Sequence, residues 1–171
     1  MLNLLLKLRA LNSFLKKNLA RFCALIMFLL VFIVLLGVAT RYLYGQQAKF
    51  TDESARMLLI WLSFFGGALA FAAKSHIGLD FLLSKFEDSA RRFASVIALL
   101  ISIFFSLAIL LGGGISLVLT SYESGNYLVS VPIAMWCIYL CVPICGVISA
   151  MFLCEDLLSL LLEKSKGEGE K

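Results

Sequence analysis

Charge is missing over most of this chain. No Asp, Glu, Lys or Arg occurs in residues 22–40, 57–73, 93–122 or 124–154. Histidine is reduced to His76, and proline to Pro132 and Pro143. With 61% hydrophobic residues and a mean hydropathy of +0.98, too little polar sequence remains for a soluble globular domain. One histidine excludes bis-histidine haem ligation, and its place at the edge of an apolar stretch makes it a loop-anchoring or capping residue rather than a ligand. A charge at the centre of a membrane helix costs ~2.5–3.5 kcal/mol on insertion scales, so such groups are kept for use. This chain has none there, so an autonomous ion-coupled carrier would have nothing at membrane depth to hold its ion. Paired Gly/Pro interruptions in two related halves, the mark of a midplane transport site, are also absent. Ser/His/Asp constellations, phosphate-cradling glycine loops and metal-ligand clusters are missing too. The sequence points away from enzymes and implies no cofactor and no metal.

What remains is four apolar stretches. A hydrocarbon core of ~30 Å needs ~20 apolar residues in a helix, and lipid leaves the backbone no alternative to internal hydrogen bonds. The expected fold is all-α: four transmembrane helices over about 22–44, 52–74, 92–118 and 131–155. An amphipathic arm, residues 1–21, precedes them, and a charged tail, 164–171, expected to be disordered, follows the 22–163 membrane domain. The basic arm and the small residues Gly37-Val38-Ala39 superficially fit a signal peptide. The apolar run exceeds a usual signal core, however, and further spans follow, so the first helix is expected to be retained.

The positive charges follow a topology. Lys7, Arg9, Lys16, Lys17 and Arg21 precede the first span. Lys74, Lys85, Arg91 and Arg92 lie between the second and third, and Lys164, Lys166 and Lys171 in the tail. The loop between the third and fourth has only Glu123. The positive-inside rule therefore places both termini and the middle loop in the cytoplasm. The net charge of +4 reflects this placement and implies no nucleic acid. Arg41, Lys49 and Arg56 dissent, with Asp52 and Glu53 available as acidic partners.

Two segments read as interfacial helices. In the arm, Leu4, Leu8, Leu11, Leu15, Leu19 and Phe22 form an apolar stripe, with Lys7, Asn12, Lys16 and Lys17 off it. Between the second and third spans, residues 78–90 place Leu79, Leu82, Leu83, Phe86 and Ala90 against Asp80, Lys85, Glu87 and Asp88. Gly45 can end the first helix. Thr51 suits an N-cap, followed by Asp52 and Glu53 where the helix dipole favours anions. Gly112-Gly113-Gly114 is either a close-packing patch or a helix end. Pro143 removes the bond to the Tyr139 carbonyl and predicts a kink. Cys137, Cys141 and Cys145 share a helix face, and with Cys23 and Cys154 they read as small packing residues.

From Arg41 to Asp80 the chain resembles the small, DctQ-like membrane subunit of tripartite ATP-independent periplasmic (TRAP) transporters. The family pattern has an Arg closing the first span, then Trp-Ser/Thr-Glu-Glu, a further Arg, an aromatic-rich span with Gly-Ala, and a His-Ile-x-x-Asp turn. Here these are Arg41, Phe50-Thr51-Asp52-Glu53, Arg56, Trp61 to Gly66-Gly67-Ala68, and His76-Ile77-Gly78-Leu79-Asp80. Val131-Pro132, Trp136, Tyr139, Pro143 and Gly146 extend the likeness into the fourth span. Phe50 departs from the usual Trp and Asp52 from the usual Glu.

The resemblance implies a bacterial inner-membrane protein that works through partners. A large multispan permease would carry the substrate and the coupling ion, Na⁺. A periplasmic binding protein would deliver an organic acid such as a C4-dicarboxylate or sialic acid. The small subunit would brace the large one's scaffold, in contact with the lipid bilayer. Arg41, Asp52, Glu53 and Arg56 would form an outer charged cluster. Trp61, Gly66, Gly67 and Trp136 would contact the large subunit, and His76 with Asp80 would fix the turn into the cytoplasmic helix. The competing readings are a self-associating tetraspan scaffold and the membrane anchor of an enzyme complex.

Overall fold

The computed structural model describes residues 2–46, 48–73, 88–128, 130 and 133–167. Four of its helices are long and apolar enough to cross a membrane. The first, α1 (Leu2–Tyr44), runs 43 residues without interruption, about 65 Å at 1.5 Å per residue. The arm and the first span are therefore one helix, with no break at residue 21. It stops at Gly45, whose φ of +70° is a left-handed conformation that a side chain would strain.

The helix α2 (Lys49–Ala72) begins earlier than expected, with Ala48 in the capping position. Thr51 is not the cap. It is buried in the first turn, and its hydroxyl donates back to the Ala48 carbonyl at 2.6 Å, satisfying itself locally as threonine does inside helices. Asp52 stands in the first turn as expected.

The third span is a continuous rod in three parts: α3 (Asp88–Phe104), a nine-residue π-helical segment (Phe105–Gly113) and α4 (Gly114–Glu123). The glycine run does not end it. A π segment of this length is rare, and it rotates Ser106 and Leu110 into the core. The fourth span consists of the short α5 (Met135–Tyr139) and the long α6 (Cys141–Gly167), interrupted at Leu140. The interruption lies three residues before Pro143, whose ring and missing N–H act on the preceding turn. Residues 164–167 of the expected tail continue α6 as helix, because no breaker precedes Gly167. Of the expected interfacial helix, only 88–90 are described, and they already belong to α3.

The core is small. Leu19 and Cys23 of α1, Phe65 and Ala68 of α2, Leu110, and Cys141, Val142, Cys145 and Phe152 of α6 pack together. Helix α6 is central: α1, α2 and all three parts of the third span touch it. Two glycines permit the closest approach. A Cβ on Gly114 would lie 2.9 Å from Pro143, and one on Gly146 would lie 2.9 Å from the Leu111 nitrogen. Beside them the Ser106 hydroxyl donates to the Gly146 carbonyl at 2.8 Å, fully buried. The outside of the bundle is apolar: Phe28, Phe93 and Phe104 are each about 70% exposed. That surface is incompatible with water and suited to lipid or to another membrane protein.

The inward face of α1 differs from the expected stripe. Asn12, Leu19, Cys23 and Ile26 are buried, whereas Leu11 and Phe22 are substantially exposed. In lipid an apolar stripe gains little by turning inward, because the tails are as apolar as the core. A polar side chain gains a hydrogen bond by doing so, and Asn12 makes two.

Candidate functional site

The charged residues at the outer end, as the charge rule assigns it, do not form one cluster. Asp52 pairs with Arg56 across one helical turn, Oδ2 to Nη2 at 2.7 Å. Both are well exposed, and such a pair stabilises the helix by ~0.2–0.5 kcal/mol. Glu53 turns away from Arg56. Its Oε2 accepts from the backbone N–H of Ser130 at 2.9 Å, tying the start of α2 to the loop before the fourth span. Arg41 is exposed at the end of α1, and among the described residues no ion pair engages it. His76 and Asp80 lie outside the described residues.

Trp61 is committed within its own chain. Its indole Nε1 donates to the Ile138 carbonyl at 3.1 Å, in the turn disturbed by Pro143. Its ring meets Phe22 and Phe65 edge-on or tilted, at 6.3 and 5.8 Å between centroids. One residue therefore joins α1, α2 and α5 and satisfies a carbonyl beside the helix interruption. Cys145 adds a parallel tie, its thiol donating to the Phe64 carbonyl at 2.9 Å.

Gly66 and Gly67 behave differently. A Cβ on either would meet nothing within 4 Å, so they do not pack inside this bundle. They interrupt the side-chain cover of α2 where a foreign helix could approach its backbone. Trp136 sits at the start of α5, edge-on to Tyr122 at 6.0 Å, bordering an open cleft in the outer loop. Among the described residues no group of three or more His, Cys, Asp or Glu comes together as a metal site.

The opposite end has a polar junction that periodicity did not reveal. Asn12 of α1 donates through Nδ2 to the Met151 carbonyl at 3.3 Å and to Glu155 Oε2 at 2.5 Å. Arg9 Nε lies 3.7 Å from Glu155 Oε1. Lys16 Nζ donates to the Ala72 carbonyl at the end of α2, at 3.0 Å. The arm is thus tied to both the second and the fourth spans. Asn12 lies off the apolar stripe, and only its long-range partners show why it is buried. Asn12→Asp would set a second carboxylate against Glu155. It is expected to cost ~1–3 kcal/mol of folding stability, read as a lower yield of monodisperse protein in mild detergent. Asn12→Leu adds no charge but removes the donor to Glu155 and the Met151 carbonyl, and is expected to lose less of that yield than Asn12→Asp.

A profile of the family described as the DctQ component of tripartite ATP-independent periplasmic transporters matches residues 18–163. The chain belongs to the DctQ family. A Haemophilus influenzae protein assigned as a TRAP transporter small permease is 36% identical over 78 residues, covering 46% of this chain and 48% of that protein. The C4-dicarboxylate TRAP transporter small permease protein DctQ of Rhodobacter capsulatus is 27% identical over 101 residues, 59% of this chain and 44% of that one. The match spans less than half the length of each relative. This DctQ-family chain carries four helices long and apolar enough to cross a membrane. The matched range contains the expected site residues from Arg41 to Asp80, and Trp136.

Proposed function

We propose that this chain is the small permease subunit of a secondary-active TRAP transporter in a bacterial inner membrane, with both termini cytoplasmic. It braces the scaffold of a large multispan permease, which carries the coupling ion, Na⁺, and an organic acid of the C4-dicarboxylate or sialic-acid type. A periplasmic binding protein delivers that acid. The observation that carries the bracing role is the Gly66–Gly67 step, where an added Cβ would meet nothing of this chain, on a bundle with no Asp, Glu, Lys or Arg at membrane depth. Such a bundle has little to transport with and an open backbone surface to lend. Arg41, exposed and without an ion pair among the described residues, is available to a partner's carboxylate.

Purification of the tagged chain from its native membrane in mild detergent tests this. A large permease is expected to co-elute near stoichiometrically. Gly66→Leu with Gly67→Leu is expected to reduce that recovery severalfold while the chain alone stays monodisperse, since a Cβ added at either position meets nothing of its own within 4 Å. The same glycine surface would also serve self-association. A cross-linked homo-oligomer without the permease would favour a scaffold, and co-eluting redox proteins would favour an enzyme anchor. Arg41→Ala is expected to lower uptake by the assembled transporter; unchanged uptake with unchanged complex yield would remove Arg41 from the mechanism.

A further inference from the structure

We propose that the outer cleft between the third and fourth spans is a receptor for an arginine or lysine side chain of the transporter's periplasmic component. The proposal rests on the subunit reading above and adds a site and a chemistry to it.

The cleft has a volume of about 380 Å³, and its walls include Tyr122, Glu123, Tyr127 and Trp136. Those walls are held in place. Gly125 turns the chain at φ +60°, and its N–H donates to the Tyr122 carbonyl at 3.2 Å. Met135 N–H donates to the Asn126 carbonyl, and Leu128 N–H to the Ile133 carbonyl, each at 3.0 Å. Tyr127 and Ala134 form an antiparallel bridge. The Glu53 carboxylate then anchors the loop to α2 through Ser130. A cleft ordered in advance spends no binding free energy on ordering itself.

Its electrostatics have one sign. Glu123 is the sole charged residue between Phe93 and Cys154. It is exposed, and among the described residues no ion pair engages it. Asp52 and Glu53 at the same end are both occupied. Glu123 also closes α4, so the negative end of the helix dipole points the same way. Tyr122 and Tyr127 are about two-thirds exposed, and Tyr122 is fixed edge-on by Trp136. Aromatic faces beside a lone carboxylate attract a guanidinium or ammonium group through both cation–π and ionic terms.

The occupant is a side chain rather than a free small cation. One carboxylate in an open cleft holds a small ion weakly, whereas a protein brings its remaining contacts with it. Arg41, exposed and unpaired among the described residues at the same end, gives the surface a second charge of opposite sign, and together the two orient a docking partner. An aromatic belt at the membrane boundary accounts for the rings but predicts no role for Glu123.

The test uses the assembled complex of this chain and the large permease in nanodiscs, with the purified periplasmic component as the probe. Glu123→Arg is expected to weaken binding about tenfold or more at low salt and to flatten its salt dependence. Glu123→Gln and Tyr122→Leu are expected to weaken it severalfold. A cross-linker on Glu123→Cys should capture an Arg or Lys region of the probe, and reversing that charge should restore binding to Glu123→Arg. If Glu123→Arg fails to assemble, the two milder variants decide. Binding unchanged within about twofold in the assembled variants, or no binding by the wild-type complex, overturns the proposal. Failure of the chain to co-purify with a large permease is a separate result: it overturns the subunit reading and this inference with it.

Discussion

Gly146→Ala is expected to destabilise the bundle by about 1–3 kcal/mol, although it adds a single methyl group. The new Cβ would lie 2.9 Å from the Leu111 nitrogen and 3.1 Å from the Leu110 carbonyl carbon, which are backbone atoms and cannot rotate aside. The third span would have to move off the fourth, and the buried bond from Ser106 to the Gly146 carbonyl would stretch. Gly114→Ala meets Pro143 at the same 2.9 Å and should behave alike. Gly67→Ala is the control. It meets nothing within 4 Å, so the fold of the isolated chain should hold or gain slightly from better helix propensity. Unfolding in mixed detergent micelles, followed by circular dichroism, separates these outcomes. Equal midpoints for the Gly146 and Gly67 variants would overturn the close-contact account.

Trp61 should be nearly as sensitive, and its two contributions can be separated. Trp61→Phe keeps an aromatic ring against Phe22 and Phe65 but removes the donor to the Ile138 carbonyl. Hydrogen bonds between membrane helices contribute on average ~0.6 kcal/mol, with larger values up to ~1.7. A loss within that range is expected here. Trp61→Ala removes the ring as well and is expected to cost ~3 kcal/mol or more. The difference between the two variants, read by the same unfolding assay, measures the packing share. A Phe variant as damaged as the Ala variant would assign the whole role to the indole N–H.

Features visible from the sequence were local. Gly45 as a stop depends on one residue's backbone freedom, Asp52 with Arg56 on one helical turn, and the break near Pro143 on one missing N–H. Each is decided within about four residues of chain. Glu53 was equally placed to pair with Arg56, and what drew it away was the backbone of Ser130, 77 residues distant. Asn12 and Glu155 are separated by 143 positions, and Trp61 and Ile138 by 77. Periodicity could not find these, because in lipid a hydrophobic stripe does not identify the inward side. Ser106 had no signal of its own. It became part of the core when the π segment turned it toward Gly146.

Apolar side chains do not distinguish the inside of this bundle from its outside, because they occupy both. Its interior holds Asn12, Thr51, Ser106 and Ser149, while its perimeter carries phenylalanine and leucine. Solubility and topology are therefore separable properties of this chain. The contacts that select the fold lie on the inside, and the side chains that choose the solvent lie on the outside. Polar replacements confined to the perimeter would alter where the bundle dissolves without touching a single bond that shapes it.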